Sequence, residues 1–91
     1  MTMRYDFNEE KNKQLFNERG VTFQHVIDSI SEKGVLLDFS HPNIDKHPKQ
    51  RIFVVELFEY TYCVPYVENN NVIFMKTIFP SRKFLFLLEK K

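Results

Sequence analysis

The chain has 91 residues and a mass of 11.0 kDa, enough for one domain spanning 1–91. Thirteen Lys and Arg against twelve Asp and Glu leave a net charge of +1, which excludes a histone-like polybasic chain and an acidic tail, while 43% hydrophobic residues and ten Phe exclude a disordered one. A single cysteine, Cys63, excludes an internal disulfide framework, no apolar run approaches the roughly 18 residues that span a bilayer, and Met1 to Asp6 lacks a signal-peptide core, so a soluble cytoplasmic protein is expected.

The front half reads as helix. Asp6, with Glu9 three residues on, has the pattern of a capping box. Asn8 to Arg19 is rich in Glu, Lys, Asn and Gln, a solvated helix with a narrow apolar stripe at Leu15 and Phe16, and Gly20 stops it. Thr22 caps a second helix in which Phe23, Val26, Ile27 and Ile30 share one face, and Gly34 ends it after Lys33.

The back half reads as sheet. Val35 to Phe39 is a short strand, and residues 40–49 form a loop with two prolines and two histidines. Gln50 to Phe58 carries Ile52, Phe53, Val54 and Val55 in succession, the mark of a central strand buried on both faces. Phe58-Glu59 makes a tight connection into Tyr60 to Val67, which puts Tyr60, Tyr62, Val64 and Tyr66 on one face. Pro65 has no N–H to give a ladder and marks an edge, a strand end or a bulge. Glu68 to Asn71 turns the chain into Val72 to Phe79, and Ser81 caps a short C-terminal helix over Arg82 to Leu88. The fold class is α+β: two N-terminal helices on a four-stranded antiparallel sheet, five-stranded if Arg4-Tyr5-Asp6 adds an edge.

Charge divides unevenly. Residues 1–45 hold five basic and eight acidic side chains, and residues 46–91 hold eight and four, so the second half is the better surface for a polyanion. His41, Asp45 and His47 in one loop match no tight metal spacing, and Cys63 falls mid-strand as a small core residue. Lys76 interrupts an apolar strand, on the same parity as Val72, Phe74 and Ile78, where a desolvated ammonium needs an anion. Arg82 and Lys83 follow the strand end, and Lys49, Gln50 and Arg51 open the central strand. Cations for phosphate and tyrosines for unstacked bases are the means of single-stranded RNA recognition. The same groups suit metal-free cleavage, in which a ribose 2′-OH attacks the adjacent phosphate and arginine or lysine holds the developing charge. Taken alone they also suit an amphipathic sheet face with snorkelling Lys and Arg.

Phe7-Asn8-x-x-Lys11-Asn12, Leu15 and Glu18-Arg19-Gly20-Val21-Thr22-Phe23 resemble the opening of BrnT-type toxins, which run aromatic-Asp, Glu-Lys-Asn, Leu and His-Gly-Val-x-Phe. Gln50-Arg51-Ile52-Phe53-Val54-Val55, Tyr60-x-Tyr62-x-Val64-Pro65-Tyr66 and Lys76-Thr77-Ile78-Phe79-Pro80-Ser81-Arg82-Lys83 resemble a branch of that family ending in Pro-Ser-Arg-Lys rather than Ile-Ser-Ala-Arg. The resemblance covers roughly residues 5–83. It implies a RelE-like fold and a ribonuclease toxin of a type II toxin–antitoxin pair, cutting mRNA without metal or cofactor and neutralised by a small DNA-binding antitoxin. By position it implies Arg82, Lys76 and Arg51 for phosphate and transition-state charge, with Tyr60 and Tyr62 as strand neighbours for stacking or proton transfer. Lys83, Lys49 and Gln50 are further RNA contacts, and either a homodimer or a toxin–antitoxin hetero-oligomer is open. The chain departs from the family in Asn8, which stands where Asp is usual, and in Phe84-Leu85-Phe86-Leu87-Leu88, where the family has an Arg-rich helix. Phe84, Phe86 and Leu87 are therefore expected to bind a protein partner, which leaves a second class open: a non-catalytic interaction module on the same fold. A plain nucleic-acid-binding protein is the third.

Overall fold

The computed structural model describes residues 4–42, 45–46 and 49–89. In chain order they form β1 (Arg4–Phe7), α1 (Glu9–Arg19), α2 (Phe23–Lys33), β2 (Leu37–Ser40), β3 (Gln50–Leu57), β4 (Tyr60–Asn69), β5 (Val72–Met75), β6 (Phe79–Pro80) and a 3-10 helix at Arg82–Leu87.

Local chemistry sets the helix ends. The cap of α1 is Asn8, whose Oδ1 accepts from the Lys11 N–H at 3.0 Å, and not the expected Asp6. Asp6 is held in β1, where its carboxylate accepts from the Phe7 N–H at 2.8 Å, so the helix starts two residues later. Gly20 closes α1 at φ 70°, the left-handed conformation that glycine adopts without a Cβ penalty. Thr22 caps α2 as expected: its hydroxyl accepts from the His25 N–H, and His25 Nδ1 accepts from the Thr22 N–H at 3.0 Å. Asn12 ties the helices together by accepting from the Phe23 N–H at 2.8 Å, one of the amides that the start of α2 leaves without a helical partner.

The strands lie in the order β1-β5-β4-β3-β2, with β6 also on β4. This corrects the expected all-antiparallel sheet of four or five strands: the described residues form six, and the sheet is mixed, because the N-terminal strand runs parallel to β5 with Arg4 opposite Val72. Two-residue hairpins force antiparallel neighbours, but β1 leaves through two helices and is free of that constraint. Those helices cross one face of the sheet and carry the chain from the β1 edge to the β2 edge. Leu15, Val21, Phe23 and Val26 pack there against Phe53, Val55, Leu57, Val64, Tyr66, Met75 and Ile78. The opposite face is covered by the 3-10 helix, whose Phe84 and Leu87 pack on Ile52, Val54 and Cys63. Two covered faces explain why β3 is buried from Ile52 to Leu57.

The expected last strand is broken. Met75 faces Tyr66 and Phe79 faces Cys63, so the three residues Lys76–Ile78 oppose only two on β4. This bulge lies against Pro65, whose missing N–H would have no place in an unbroken ladder. Its carbonyl accepts from the Lys76 N–H at 2.7 Å. The extra residue resets the alternation, so that Ile78 enters the core as Met75 does, while Lys76 stays on the outward side with Phe74.

Both tight hairpins have two left-handed residues, the geometry that matches strand twist. Asn70 and Asn71 (φ 53° and 66°) suit it; Phe58 and Glu59 (φ 54° and 64°) do not. Phe58 is also 64% exposed, with its ring edge-on to His25 at 5.1 Å. Replacing Phe58-Glu59 by Asn-Gly is therefore expected to stabilise the fold by about 1 kcal/mol in urea unfolding, net of the lost ring contact. A lower midpoint would show that the His25 contact outweighs the backbone strain.

Candidate nucleic-acid interface

Apart from Lys76, the basic side chains that the sequence singles out fall at two ends of the sheet. The first end is an open cleft of about 710 Å³, lined by Ser40 on β2, Lys49, Gln50 and Arg51 at the start of β3, and Glu68 to Asn71 around the β4–β5 hairpin. Arg51 is the ordered group within it. Its Nε donates to Asp38 Oδ1 at 3.1 Å and its Nη1 to Ser40 Oγ at 3.3 Å, while the Tyr66 hydroxyl donates to Asp38 Oδ2 at 2.7 Å. Strand register makes this possible, since Ser40 and Tyr66 flank Arg51 from either side and Asp38 lies two residues along β2. The Tyr66 hydroxyl and the Asp38 carboxylate together raise the Arg51 pKa, so it is a permanent cation.

Burial, helped by the bond to Asp38, pushes the Tyr66 phenol up to about 12 against the opposing pull of Arg51. An unfolded tyrosine ionises near pH 10, so between pH 10 and 12 the folded chain binds the extra proton and stability falls as pH rises. Thermal midpoints across that window should drop, and Tyr66→Phe should flatten part of the drop. An identical slope in the variant would mean that Tyr66 titrates normally.

The second end lies at the β3–β4 hairpin. Pro80 pairs with Tyr62, the Ser81 N–H donates to the Thr61 carbonyl at 2.9 Å, and the buried Thr61 hydroxyl donates to the Ser81 carbonyl. These bonds hold the chain just before Arg82, where the 3-10 helix begins, at the sheet end that carries Tyr60 and Tyr62. Tyr60 and Tyr62 are half-buried and stand edge to face at 6.0 Å. Arg82 is exposed and makes no hydrogen bond or ion pair among the described residues. Lys83 sits on the other side, over the Phe84 ring at 5.6 Å and close enough to Cys63 to pull its thiol down against the stronger effect of burial.

The expected set of five is therefore not one constellation. Arg82, Tyr60 and Tyr62 share the hairpin end. Arg51 lies opposite Tyr66, six residues along β4 from Tyr60, or about 20 Å at ~3.3 Å per residue. Lys76 belongs to neither end. It lies at the bulge, exposed, with its ammonium 5.4 Å from the Phe74 ring, so the desolvation argument for an anion there does not hold. Lys49 and Gln50 join Arg51 in the cleft. Of the residues expected to bind a partner, Phe84 and Leu87 are partly buried against the chain's own second face, and Phe86 is 50% exposed.

Reading the sequence missed Asp38 and Ser40, which hold Arg51. The only local sign is a carboxylate inside an otherwise apolar strand, Leu36-Leu37-Asp38-Phe39. Among the described residues no group of three or more His, Cys, Asp or Glu could hold a metal ion, and no helix is long and apolar enough to cross a membrane; His47 lies outside those residues. Compared with family models, curated proteins and solved structures, the chain matches none.

Proposed function

We propose that the chain is a toxin-type endoribonuclease that cuts mRNA without a metal ion and is held in check by a small DNA-binding antitoxin, as its resemblance to BrnT-type toxins implies. Two helices on one face of a sheet, with a last strand Phe79–Pro80 that leads through Ser81 into Arg82 and Lys83, agree with that reading. The observation that carries it is Arg82: an exposed arginine with no hydrogen bond or ion pair among the described residues, held just past the Ser81–Thr61 bonds at the sheet end where Tyr60 and Tyr62 lie. In the reaction the ribose 2′-oxygen bonds to phosphorus and gives up its proton, and the phosphorus–5′-oxygen bond breaks as that oxygen takes a proton. Arg82 holds the charge on the non-bridging oxygens, and Tyr60 and Tyr62 stack the flanking bases and offer hydroxyls for proton transfer.

The separation of Arg51 from Arg82 favours a second reading, in which the fold binds RNA without cutting it. A single scissile phosphate gains little from a cation about 20 Å away. Incubating the protein with a defined single-stranded RNA in excess EDTA, alongside induction in growing bacteria, separates the two. Discrete fragments or growth arrest support the enzyme. Intact RNA, salt-sensitive binding and normal growth would replace it with the binding module.

A further inference from the structure

The cleft at the other end of the sheet has the construction of a binding site in its own right. Arg51 is fixed through Nε and Nη1, so the orientation of its planar fork is set before any ligand arrives. The carboxylate that fixes it is itself held by the Tyr66 hydroxyl. Half of the Arg51 side chain remains exposed, and it shares the cleft with Lys49, a second cation with no ion pair among the described residues. The opposite wall is amide-rich, from Asn69 to Asn71, with Gln50 beside the cations. Amides both donate and accept, as base edges and sugar hydroxyls require. A surface ion pair alone would need neither Lys49 nor a cleft of this size.

We propose that this cleft binds a nucleotide phosphate, clamped between the Arg51 fork and Lys49, with the asparagines against the sugar or base. Asp38, Ser40 and Tyr66 are positioning residues. Glu68 on the rim opposes the phosphate and sets an upper limit on its affinity. The site stands apart from Arg82 and does not depend on RNA cleavage there.

The test is titration of the full chain, followed by amide chemical shifts, with inorganic phosphate, with uridine 5′-monophosphate and with a tetradeoxynucleotide carrying or lacking a 5′-phosphate. The deoxy ligands have no 2′-OH, so ribonuclease activity cannot confuse the result. Saturable shifts confined to Ser40, Gln50, Arg51 and Asn69 to Asn71 are expected. Preference for the 5′-phosphorylated ligand would identify a terminal monoester, and equal binding a backbone diester. Arg51→Lys keeps the charge and loses the fork, and should bind about tenfold more weakly. Lys49→Ala, at an exposed position, should reduce the salt dependence. Tyr66→Phe should weaken binding while leaving the salt dependence intact, and Glu68→Gln should tighten it. No saturable shift with any of the ligands, or equal affinity in Arg51→Lys and Lys49→Ala, would overturn the proposal.

Discussion

Arg82→Ala is expected to lower RNA cleavage by at least about a hundredfold while leaving the thermal midpoint unchanged. The two halves of that result have separate causes. Arg82 is exposed and without a hydrogen bond or ion pair among the described residues, so the folded state loses almost nothing, within about 0.5 kcal/mol for such a surface site. The chain before it is fixed by Ser81 and Thr61 backbone and hydroxyl bonds that the substitution does not touch. The proposed cleavage would lose its charge stabilisation, because phosphoryl oxygens gain negative charge only as the 2′-oxygen attacks. Arg82→Lys should fall between the two, since an ammonium keeps the charge but not the planar fork. A folded Arg82→Ala protein that cuts RNA at the wild-type rate would remove Arg82 from the reaction. Equal loss of activity and of thermal midpoint would make its role structural.

Phe23→Ala is expected to cost about 3–5 kcal/mol of folding free energy, measured by urea unfolding. Phe23 is fully buried and stacks on the Phe7 ring at 4.9 Å, so it joins α2 to the edge strand β1 across the helix-side core. A chain of this length has a total stability of about 5–14 kcal/mol, and a small domain buries a modest fraction of its surface. The loss therefore approaches the whole margin, and a partly unfolded protein at 37 °C is the expected outcome. β1 should be released first, because it pairs only with β5 and leans on Phe23 through Phe7. Hydrogen exchange at Arg4 and Asp6, whose N–H groups face β5, rising before that of β3 would show this order. A cost below about 1 kcal/mol would mean that the site collapses around the cavity.

The apolar C-terminal segment bears on the choice between enzyme and interaction module. Phe84 and Leu87 complete the second core, with Phe84 set against Phe39 at 5.7 Å, and so contribute to the fold itself. Of this segment Phe86 is half exposed, while Phe84, Leu85, Leu87 and Leu88 are partly buried.

The sequence by itself determined the two helices, the three strands that follow them and their order. Gly20, Thr22 and Gly34 punctuate the helices through their own backbone geometry and caps, and these signals act within a few residues. The run Ile52 to Val55 announces the central strand, and period-two spacing puts Tyr60, Tyr62, Val64 and Tyr66 on one face, because strand alternation is a local rule. Only the tertiary structure decided what those elements bring together. Tyr66 and Asp38 are 28 residues apart, and they meet because β2, β3 and β4 lie side by side in one particular register. The parallel pairing of β1 with β5, the bulge that brings Ile78 into the core and the packing of Phe84 likewise depend on distant partners. The placement of Arg51 and Arg82 at opposite ends follows from the same cause: strand length and register set distances in space that sequence spacing does not carry.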